Sequence, residues 1–593
     1  MRFTRIISPF LAWARAIQRS DTVPFPRTSR PGAPRYRGFH INDSETCIGC
    51  GRCAEICQNA AIDMVETDKT TFVEGDSGLR PRIDYGRCCW CALCVDVCST
   101  GSLGMSNQYL WTSKNADDFI YIPGIDEKSW DNADLGYRQE SDLLGWAGSE
   151  RIPMPVMDPA ERIHSFDEVI AGYLEEEAVR EAERCIQCGL CVAACPAHMH
   201  IPDYLQAIAE RRFVDAVEIF YANNPLPELC GKVCTRRCET ACALGHQGEP
   251  IAIRWLKRFA TERFDSLVEI VRRFERAQPT GKRVAIIGAG PAGLTTAFYL
   301  SLSGHEITVF EAAEAGGGVT RSGIPRYRLP ASSIEKQMAV FTDLGIRFTY
   351  NTIVDDSRFE HIRREYDAVF LGVGLTGSMG LRIEGEDLHQ VNSALDFLRR
   401  VNVEGDHSPI GESVVVVGGG NVAMDASRVA RRLGSRVILS YRRRIEDMPA
   451  DNEEIEEAME EDVDFRPQTI PLRIELSQNR LAYIYGDAEM VPDPKGRRPH
   501  PRLIEGSEHT LEVDRVLVAI GQSPDLGLIP EEIGEKFTVE WGKIVVDDNQ
   551  YTGVQNIFAG GDITPGRGDA ITAIADGLRA VRGISTYLEK SAK

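Results

Sequence analysis

The chain has 593 residues, a formal net charge of −21 and 17 cysteines; 43% of its residues are hydrophobic and 26% are charged. This composition excludes wholesale disorder, and an acidic chain without a long basic run is a poor candidate for nucleic-acid binding. At roughly 100–200 residues per domain, the length predicts about three to five domains.

The cysteines are confined to one part of the chain. All 17 lie between Cys47 and Cys242, and the last 351 residues contain none. A secreted scaffold held by disulfides is usually short and spreads its cysteines through the fold. Tight cysteine runs inside a large chain favour ligation of metal ions or iron–sulfur clusters instead.

The first 40 residues carry eight arginines and one aspartate, a local charge of +7. Their apolar residues recur at helical spacing, which predicts an amphipathic helix and linker over residues 1–40. The stripe consists of Phe3, Ile6, Ile7, Phe10, Trp13, Ala14 and Ile17. A signal peptide is disfavoured because the apolar core is short and ends in a charge.

This helix either docks on a membrane surface or partner protein, or lies on the surface of its own domain. No segment of the sequence reads as a membrane-spanning helix. We therefore expect a cytoplasmic protein, which is peripheral on the inner face of the membrane if the helix docks there.

Two cysteine runs follow with the same spacing, C-x2-C-x2-C-x3-C, and begin 41 residues apart. They comprise Cys47, Cys50, Cys53 and Cys57, then Cys88, Cys91, Cys94 and Cys98. This is the bacterial ferredoxin spacing for 4Fe–4S clusters, in which the fourth cysteine of a run ligates the other cluster. Zinc sites typically show two separated ligand pairs instead. We predict a ferredoxin-like domain over residues 41–115 and a linker over 116–150.

The exchange of fourth cysteines defines two ligand sets. Cluster one takes Cys47, Cys50, Cys53 and Cys98. Cluster two takes Cys88, Cys91, Cys94 and Cys57. The proline that usually follows the fourth cysteine is replaced by Gln58 and Ser99, which removes no ligand. Cys89 is then an extra, packed thiol.

Together with the segments TVPFP and PRYRGFH, these runs make residues 1–110 resemble the eight-iron ferredoxin-like subunit of respiratory complex I and related membrane hydrogenases. In that family the subunit passes electrons along a series of redox centres beside the membrane arm. The resemblance implies that the N-terminal helix docks on a membrane or a membrane subunit.

A third and a fourth cysteine run lie in the helix-like segment 151–278. They comprise Cys185, Cys188, Cys191 and Cys195, then Cys230, Cys234, Cys238 and Cys242. Around them, EAERCIQC, NPLPELCGKVC and EPIAIRWLKRFATE resemble the N-terminal iron–sulfur domain of the glutamate synthase small subunit and of dihydropyrimidine dehydrogenase. We therefore expect a helical iron–sulfur domain with two further clusters.

The resemblance implies a ligand set for each of these clusters. The third cluster takes Cys185, Cys188, Cys191 and Cys242. The fourth takes Cys195, Cys234 and Cys238 with a non-cysteine ligand in the IAIRWLKRF segment. Here that position is Lys257, a poor iron ligand when protonated, and the spacing from Cys234 to Cys238 is shorter than usual. Either Cys230 supplies the missing sulfur or the register shifts, and both readings stay open.

Downstream, KRVAIIGAGPAGLTTAFYL predicts a strand, a glycine turn and a helix. Gly288, Gly290 and Gly293 permit a tight turn and the close approach of a pyrophosphate to the helix N-terminus. Glu311, 23 residues after Gly288, ends the next strand, where an acid binds ribose hydroxyls. These features predict a dinucleotide-binding domain.

A second fingerprint begins at ESVVVVGGGNVAMDASRVARRLG, with Gly418, Gly420 and Asn421 in its turn. Its second strand ends not in an acid but in an arginine run that includes Arg442 and Arg443. Arginine suits the 2′-phosphate of NADPH, whereas an acid suits the free hydroxyl of NADH. The run favours NADPH over NADH, although a merely solvated run would leave that choice open.

Near the C-terminus, NIFAGGDITPGRGDAITAIADGLRAV puts Gly561 and Asp562 between a strand and a helix. This resembles the second FAD-binding signature of flavoproteins with two dinucleotide domains, whose aspartate contacts the flavin's ribityl or phosphate region. GGGVTRSGIPRYRLP, which contains Gly318, and MPADNEEIEEA resemble the glutamate synthase small-subunit family. That resemblance covers residues 150–593.

The resulting fold class is α/β and α+β multidomain. A bacterial-ferredoxin-like domain and a helical iron–sulfur domain precede two Rossmann-like dinucleotide-binding domains. The order of the signatures implies that the NADPH domain, residues 406–512, is inserted between two parts of the FAD domain, residues 279–405 and 513–593.

Many flavoproteins of this fold reduce disulfides through a cysteine pair near the flavin. This chain has no cysteine after Cys242, which excludes that chemistry unless an upstream cysteine folds in. We predict an enzyme that transfers electrons between NADPH and one-electron carriers through FAD and about four 4Fe–4S clusters, in either direction. No catalytic side chain is predicted, because the hydride chemistry belongs to the cofactor.

The expected partners are other redox subunits or ferredoxin, a membrane subunit through the N-terminal helix, and no nucleic acid. Three other functions stay open: the small subunit of glutamate synthase, a subunit of a bifurcating transhydrogenase, and a non-enzymatic wiring subunit of a membrane hydrogenase or formate dehydrogenase complex. The ferredoxin fusion argues against the first, and the intact fingerprints argue against the last.

Overall fold

A computed structural model of the chain describes residues 32–590, with gaps at 34, 68–75, 132, 140–149, 247, 376, 479 and 493–498. The helix predicted within residues 1–40 lies almost entirely outside the described residues. The chain divides into two compact units, residues 1–150 with 240–250 and residues 151–239 with 251–593.

The first unit builds short strands and single helical turns around the first two cysteine runs. Its elements are β1 (His40–Asn42), α1 (Arg52–Glu55), β2 (Ile62–Glu66), β3 (Leu79–Asp84), α2 (Leu93–Asp96), β4 (Leu103–Met105), a 3-10 helix (Ala116–Phe119) and β5 (Ile120–Tyr121). β1 pairs antiparallel with β4, and β3 lies between β2 and β5. A left-handed residue precedes each turn, Gly51 (φ 78°) before α1 and Ala92 (φ 69°) before α2. The two runs therefore share one local geometry.

Aromatic side chains form much of the core of this unit. Phe39 stacks on Trp130 with ring centroids 4.3 Å apart, and Tyr85 stacks on Tyr121 at 5.3 Å. The same core packs against cysteines of both runs, including buried Cys94. Large rings thus supply the apolar area that a small unit needs.

The second unit begins with short helices that carry the third cysteine run and the fourth run as far as Cys238. They are α3 (Pro159–Arg162), α4 (Glu175–Glu183), α5 (Leu190–Ala194), α6 (Ile201–Ala209), α7 (Phe213–Asn223), α8 (Pro227–Val233), α9 (Arg237–Thr240), α10 (Ile253–Glu262) and α11 (Val268–Val271). α10 is buried along almost its whole length, including Arg254, Lys257 and Arg258. Such buried cations need partners of opposite charge.

The first dinucleotide module follows as alternating strands and helices. Its elements are β6 (Arg283–Ile287), α12 (Pro291–Leu302), β7 (Glu306–Phe310), α13 (Val319–Ser322), α14 (Ala331–Asp343), β8 (Arg347–Thr349), α15 (Asp356–Glu365) and β9 (Ala368–Leu371). β6 pairs in parallel with both β7 and β9, and β7 with β8. The central strands β6 and β9 are nearly continuous apolar runs, as is typical of a parallel sheet with helices on both faces.

The second module has a parallel sheet and a long antiparallel meander. Its elements are β10 (Gly377–Ser378), β11 (Val391–Ser393), α16 (Ala394–Asn402), β12 (Ser413–Val417), α17 (Asn421–Arg432), β13 (Arg436–Tyr441), a 3-10 helix (Ile445–Asp447), α18 (Asn452–Glu460), β14 (Asp464–Pro467), β15 (Thr469–Ser477), β16 (Arg480–Val491), β17 (His500–Val513) and β18 (Arg515–Val518). The parallel order is β11-β18-β12-β13-β14, and β15, β16 and β17 form the meander.

The chain then returns to the first module. Its last elements are β19 (Gln522–Ser523), α19 (Glu531–Gly534), β20 (Val539–Glu540), β21 (Lys543–Ile544), β22 (Ile557–Ala559) and α20 (Ala570–Lys590). β22 pairs in parallel with β9 and completes the first sheet. The second sheet thus lies between β9 and β22 in chain order, as an inserted domain would.

The second sheet extends from β11 to β18, beyond the predicted boundaries 406 and 512 on both sides. The reason is that Val391–Ser393 and Arg515–Val518 pair with each other and extend the sheet beside β12. Within the described residues, no helix is long and apolar enough to cross a membrane.

Candidate functional site

The first glycine turn connects β6 to α12. Gly288 has φ 101°, and a Cβ there would lie 2.5 Å from the carbonyl oxygen of Gly372. A Cβ on Gly293 would lie 2.0 Å from the carbonyl oxygen of Gly288. Both positions therefore require glycine, the first for its backbone angle and the second for helix–strand packing.

The carboxylate of Glu311 closes this turn from the end of β7. Its Oε2 accepts a hydrogen bond from the Ala289 amide at 2.7 Å, and its Oε1 accepts one from the Ala313 amide at 2.8 Å. Each oxygen keeps a further lone pair, so the same carboxylate can also accept from ribose hydroxyls. Glu311 thus shapes the turn besides facing the expected nucleotide.

Three glycines from separate parts of the chain meet at the N-terminus of α12. A Cβ on Gly318 would lie 3.0 Å from Gly290 Cα, and a Cβ on Gly561 would lie 3.0 Å from Ala292 Cβ. No side chain caps the helix. Bare backbone around free amide groups fits the pyrophosphate of FAD, because a helix N-terminus attracts phosphate.

Asp562 lies directly after Gly561 in the C-terminal signature. Burial raises the pKa of its carboxyl, and the Lys543 ammonium acts against this rise. Asp576, in the second turn of α20, accepts a hydrogen bond from the Gly561 amide at 2.8 Å and so holds the signature against the helix. Gly290 of the fingerprint and Gly561 of the signature, 271 positions apart in the sequence, thus belong to one candidate flavin site.

The second glycine turn, between β12 and α17, repeats this arrangement. A Cβ on Gly418 would lie 2.3 Å from the carbonyl oxygen of Ala519, whereas nothing lies within 4 Å of the Cβ position of Gly420. No side chain caps α17. Asn421 accepts a hydrogen bond from the Asp451 amide at 2.8 Å, so its side chain ties the turn to the start of α18.

The arginines after β13 differ in their partners. Arg444 donates to Asp447 at 2.9 Å. In the described part of the chain, no carboxylate pairs with Arg442 or Arg443, and the buried Nε of Arg443 has no hydrogen-bond partner. A guanidinium whose buried Nε has no partner among the described residues fits a bound phosphate, which is the group that distinguishes NADPH from NADH.

The thiols of the first unit gather around the third cysteine of each run. Burial raises the pKa of Cys53, and neighbouring thiols raise it further. These neighbours are Cys50, Cys47, Cys94 and Cys98. Three of the four belong to the ligand set predicted for cluster one.

Cys94 has the corresponding position in the second run. Burial raises the pKa of its thiol to about 12, and three neighbouring thiols contribute. These neighbours are Cys88, Cys91 and Cys57. They are the other members of the set predicted for cluster two, an assignment that stays a prediction.

No three His, Cys, Asp or Glu side chains among the described residues stand close enough to share one metal ion. A 4Fe–4S cluster bonds each thiolate to a different iron atom, so its sulfurs stand farther apart than the ligands of a single ion. The C-x2-C-x2-C-x3-C spacing of both runs favours such clusters over mononuclear zinc.

One residue beside these thiols, His40, could not be predicted from the sequence. His40 Nε2 lies 3.2 Å from Cys94 Sγ, and its Nδ1 lies 2.6 Å from the Tyr85 hydroxyl. Burial lowers the pKa of His40 to about 4, so the ring is neutral at pH 7. His40 and Cys94 are 54 residues apart, and no spacing rule connects them.

The fourth cysteine run surrounds a buried lysine. The thiols of Cys230, Cys234, Cys195 and Cys238 raise the pKa of Lys257 against the effect of burial. The Lys257 ammonium also lies 3.3 Å from Met199 Sδ. A hydrogen bond from Cys230 lowers the pKa of Cys234, and Lys257 lowers it further. Four thiols and one cation thus share a buried pocket.

Tyr204 provides a test of what this pocket can hold. Its hydroxyl is fully buried and has no hydrogen-bond partner among the described residues. Burial raises its pKa, as do the thiols of Cys238, Cys191, Cys195 and Cys234. An orphaned donor beside sulfur ligands fits a bound iron–sulfur cluster, whose sulfurs accept hydrogen bonds.

The segment between Cys234 and Cys238 is held by both dinucleotide modules. Arg237 pairs with Asp569 and donates to the Thr572 hydroxyl at 3.2 Å. Arg236 pairs with Glu453 of α18 at 3.2 Å. Asp569 in turn caps α20, since it accepts a hydrogen bond from the Thr572 amide at 2.9 Å. The fourth run therefore lies against the helix that follows the flavin signature.

The remaining thiols are less informative. Cys191 is buried, while Cys185 and Cys188 are partly exposed. Cys242 lies in the 240–250 segment, which groups with the first unit, and its place in the third ligand set stays a prediction. Cys89 is exposed rather than packed.

Three family models match the chain in succession. The 4Fe-4S dicluster domain matches residues 46–102, and the dihydropyrimidine dehydrogenase domain II, 4Fe-4S cluster, matches residues 162–267. The pyridine nucleotide-disulphide oxidoreductase model matches residues 282–577. This last segment contains no cysteine, so it lacks the redox pair of the disulfide-reducing enzymes.

Curated relatives match most of the chain. It is 36% identical over 471 residues to the NADPH glutamate synthase small chain of Escherichia coli, a match that covers 74% of this chain and 98% of that protein. It is 36% identical to the NADPH-Fe(3+) oxidoreductase subunit beta of Geobacter sulfurreducens and 35% identical to the NADP(+)-dependent formate dehydrogenase subunit beta of Moorella thermoacetica. Each of these matches covers 68% of this chain, and they span only 64% and 60% of the two beta subunits.

Proposed function

Because the chain belongs to the family of NADPH glutamate synthase small chains and their relatives, we propose that it transfers electrons between NADPH and one-electron carriers through FAD and four 4Fe–4S clusters. FAD held at the first site would supply the conversion between the two-electron hydride of the nicotinamide and the single electrons that iron–sulfur clusters carry.

The residues of the two glycine turns bind and orient the nucleotides. The uncapped N-terminus of α12, with Gly290, Gly318 and Gly561 around it, holds the FAD pyrophosphate. Glu311 accepts from the FAD ribose, and Arg442 and Arg443 hold the 2′-phosphate of NADPH. The buried Nε of Arg443 supports this assignment because it has no hydrogen-bond partner among the described residues. The neighbouring Arg444, by contrast, is already paired with Asp447.

Cys230 completes the fourth ligand set, together with Cys195, Cys234 and Cys238. The support is its hydrogen bond to Cys234 and its complete burial in the same pocket. Lys257 occupies the position of the family's non-cysteine ligand, but four thiols keep it protonated. A protonated amine has no lone pair for iron, so Lys257 serves as a counter-ion to the cluster.

The observation that carries the proposed route is the attachment of the fourth run to the flavin module. Arg237 and Thr235 both reach Asp569, the cap of α20. Because of this attachment, the fourth cluster, held by the proposed set of Cys195, Cys230, Cys234 and Cys238, is the first to receive electrons that leave the flavin. The third cluster and the ferredoxin-like pair then connect this site to a partner.

The names of the relatives indicate which partners exchange electrons with this chain. Several of them are named as chains or subunits of larger redox enzymes, so we infer that this chain also works within a redox complex. Its acceptor is another redox subunit or ferredoxin. Docking on a membrane subunit through residues 1–40, on the inner face of the membrane, belongs to the same proposal.

Anaerobic titration of the reconstituted full chain with NADPH tests the proposal. Flavin absorbance and the electron paramagnetic resonance (EPR) signals of the clusters are followed together, with NADH as the comparator. We expect NADPH to reduce the flavin and at least one cluster. Bleaching of the flavin with every cluster left oxidised would contradict the route.

A further inference from the structure

The imidazole of His40 lies against a cluster thiol and has no role in the route above. Its Nε2 is 3.2 Å from Cys94 Sγ, and both residues are buried, at 1% and 7% exposure. The matching third cysteine of the first run, Cys53, has Met64 Sδ at 4.0 Å, and a thioether has no hydrogen to donate. Among the described residues, a ring nitrogen thus contacts the third cysteine of the second run and not that of the first.

The chemistry of the contact fixes the hydrogen on His40. A cysteine that ligates iron is a thiolate and has no hydrogen to give. The 3.2 Å contact can then be a hydrogen bond only if Nε2 carries the hydrogen. A neutral ring protonated at Nε2 has a free acceptor at Nδ1, and the Tyr85 hydroxyl lies 2.6 Å from that atom.

Further hydrogen bonds hold the ring and the hydroxyl in place. The backbone amide of His40 donates to the Tyr85 oxygen at 2.6 Å. The Tyr121 hydroxyl lies 2.9 Å from that oxygen and donates to the His40 carbonyl at 3.2 Å. His40, Tyr85 and Tyr121 thus form a buried group, and among the described residues its hydrogen-bond contact to sulfur runs from His40 Nε2 to Cys94 Sγ.

We propose that His40 donates a hydrogen bond to the Cys94 thiolate and thereby raises the reduction potential of cluster two, with Tyr85 as the positioning residue that fixes its tautomer. Reduction adds negative charge to a cluster and its sulfurs, so a donor to Cys94 stabilises the reduced form more than the oxidised form. The proposal rests on the proposed function, since it requires cluster two on Cys88, Cys91, Cys94 and Cys57.

The test compares four variants of the full chain, reconstituted with iron and sulfide. His40→Phe removes the donor and keeps a ring, and His40→Gln restores an N–H. Tyr85→Phe removes the hydroxyl at Nδ1 without touching Cys94. Tyr137→Phe is the matched control, because Tyr137 is a buried tyrosine of the same unit that donates to Asp96 at 2.7 Å rather than to the His40 group.

Iron content and EPR-monitored redox titrations are measured for each variant. In His40→Phe we expect full iron content and an equilibrium constant for reduction of cluster two that falls about tenfold, which is ~59 mV for one electron. His40→Gln recovers part of this loss, Tyr85→Phe shows a smaller fall, and cluster one and Tyr137→Phe stay unchanged.

An unchanged cluster-two potential in a fully loaded His40→Phe chain would overturn the proposal and leave the proposed function intact. If His40→Phe takes up less iron than the wild-type chain, the Tyr85→Phe variant becomes the deciding test. An unchanged cluster-two potential in Tyr85→Phe would then overturn the proposal. A wild-type chain that never forms cluster two would overturn both the ligand set and the role of His40, and its iron content would reveal this.

Discussion

Arg237, which lies between Cys234 and Cys238, pairs with Asp569, the residue that caps the helix after the flavin signature. The two residues are 332 positions apart, yet they join the fourth cysteine run to the flavin module. Their side chains are 25% and 14% exposed, so the pair is partly shielded from water. The pair therefore joins the segment that carries the fourth cysteine run to the module that contains the flavin signature.

Asp569→Asn tests the importance of that link. Asparagine keeps an oxygen that can cap α20 but removes the charge that Arg237 meets. We expect NADPH to reduce the flavin at the wild-type rate, while electron transfer from flavin to clusters slows several-fold because the fourth run loses its anchor. Stopped-flow absorbance separates the two phases.

Asp447→Asn is the control for this experiment, since Asp447 pairs with Arg444 elsewhere in the nucleotide modules. It should leave both phases close to wild type. Equal slowing in the two variants would show that the Arg237–Asp569 pair has no particular role in electron transfer.

The arginines after β13 predict the choice of nucleotide. Loss of a charge-assisted hydrogen bond to the 2′-phosphate costs about 1.5–3 kcal/mol. Arg443→Ala should therefore weaken NADPH binding roughly 10- to 100-fold and leave NADH unaffected. Dissociation constants for both nucleotides, measured by titration calorimetry on the oxidised protein, check the result.

Arg444→Ala supplies the comparison, because this arginine already has Asp447 as its partner. We expect a change of less than a few-fold for either nucleotide. If Arg443→Ala weakened NADPH and NADH alike, the arginine run would serve general anion attraction rather than recognition of the 2′-phosphate.

The fourth ligand set predicts different outcomes for two neighbouring residues. Cys230→Ala should lose about one cluster of iron, whereas Lys257→Met should keep its iron and lower the potential of the fourth cluster, because a buried cation stabilises the reduced state. Iron analysis and redox titration measure the two effects.

Cys89→Ala is the matched thiol variant for this pair, since Cys89 is exposed and belongs to no ligand set. It should retain full iron content. Full iron content in Cys230→Ala together with iron loss in Lys257→Met would contradict this ligand set. It would show that Lys257, at the family's non-cysteine position, ligates the fourth cluster.

Glu311 predicts how the flavin is retained. Its two oxygens both accept backbone hydrogen bonds, and an amide side chain can accept only one of them. Glu311→Gln should therefore release FAD during purification, with affinity lowered roughly 10- to 100-fold by the loss of about 1.5–3 kcal/mol. FAD fluorescence measures the retained fraction, and the exposed Glu314→Gln should behave like wild type.

The parts of the site that depend on local sequence could be predicted from it. The fingerprint around Gly288 combines an apolar strand, glycines and a helix within one short segment, and these signals act at close range. The strands β6 and β7 and the helix α12 lie where that pattern predicts. The same holds for β12, α17 and β13 in the second module.

The parts that depend on tertiary packing could not be predicted. His40 reaches Cys94 across 54 positions, and Arg237 reaches Asp569 across 332. No periodicity or spacing encodes such contacts, since packing alone brings the segments together. The meander β15–β17 could not be predicted either, because alternating strands without a motif have a weak local signal.

The route from flavin to the fourth cluster is tested most directly by removing that cluster. In Cys238→Ser, the remaining clusters should still be reduced by dithionite, and NADPH should still bleach the flavin. The account predicts that NADPH then fails to reduce the remaining clusters, or reduces them far more slowly than in the wild-type chain. Reduction of those clusters by NADPH at the wild-type rate, with the fourth cluster missing, would contradict it.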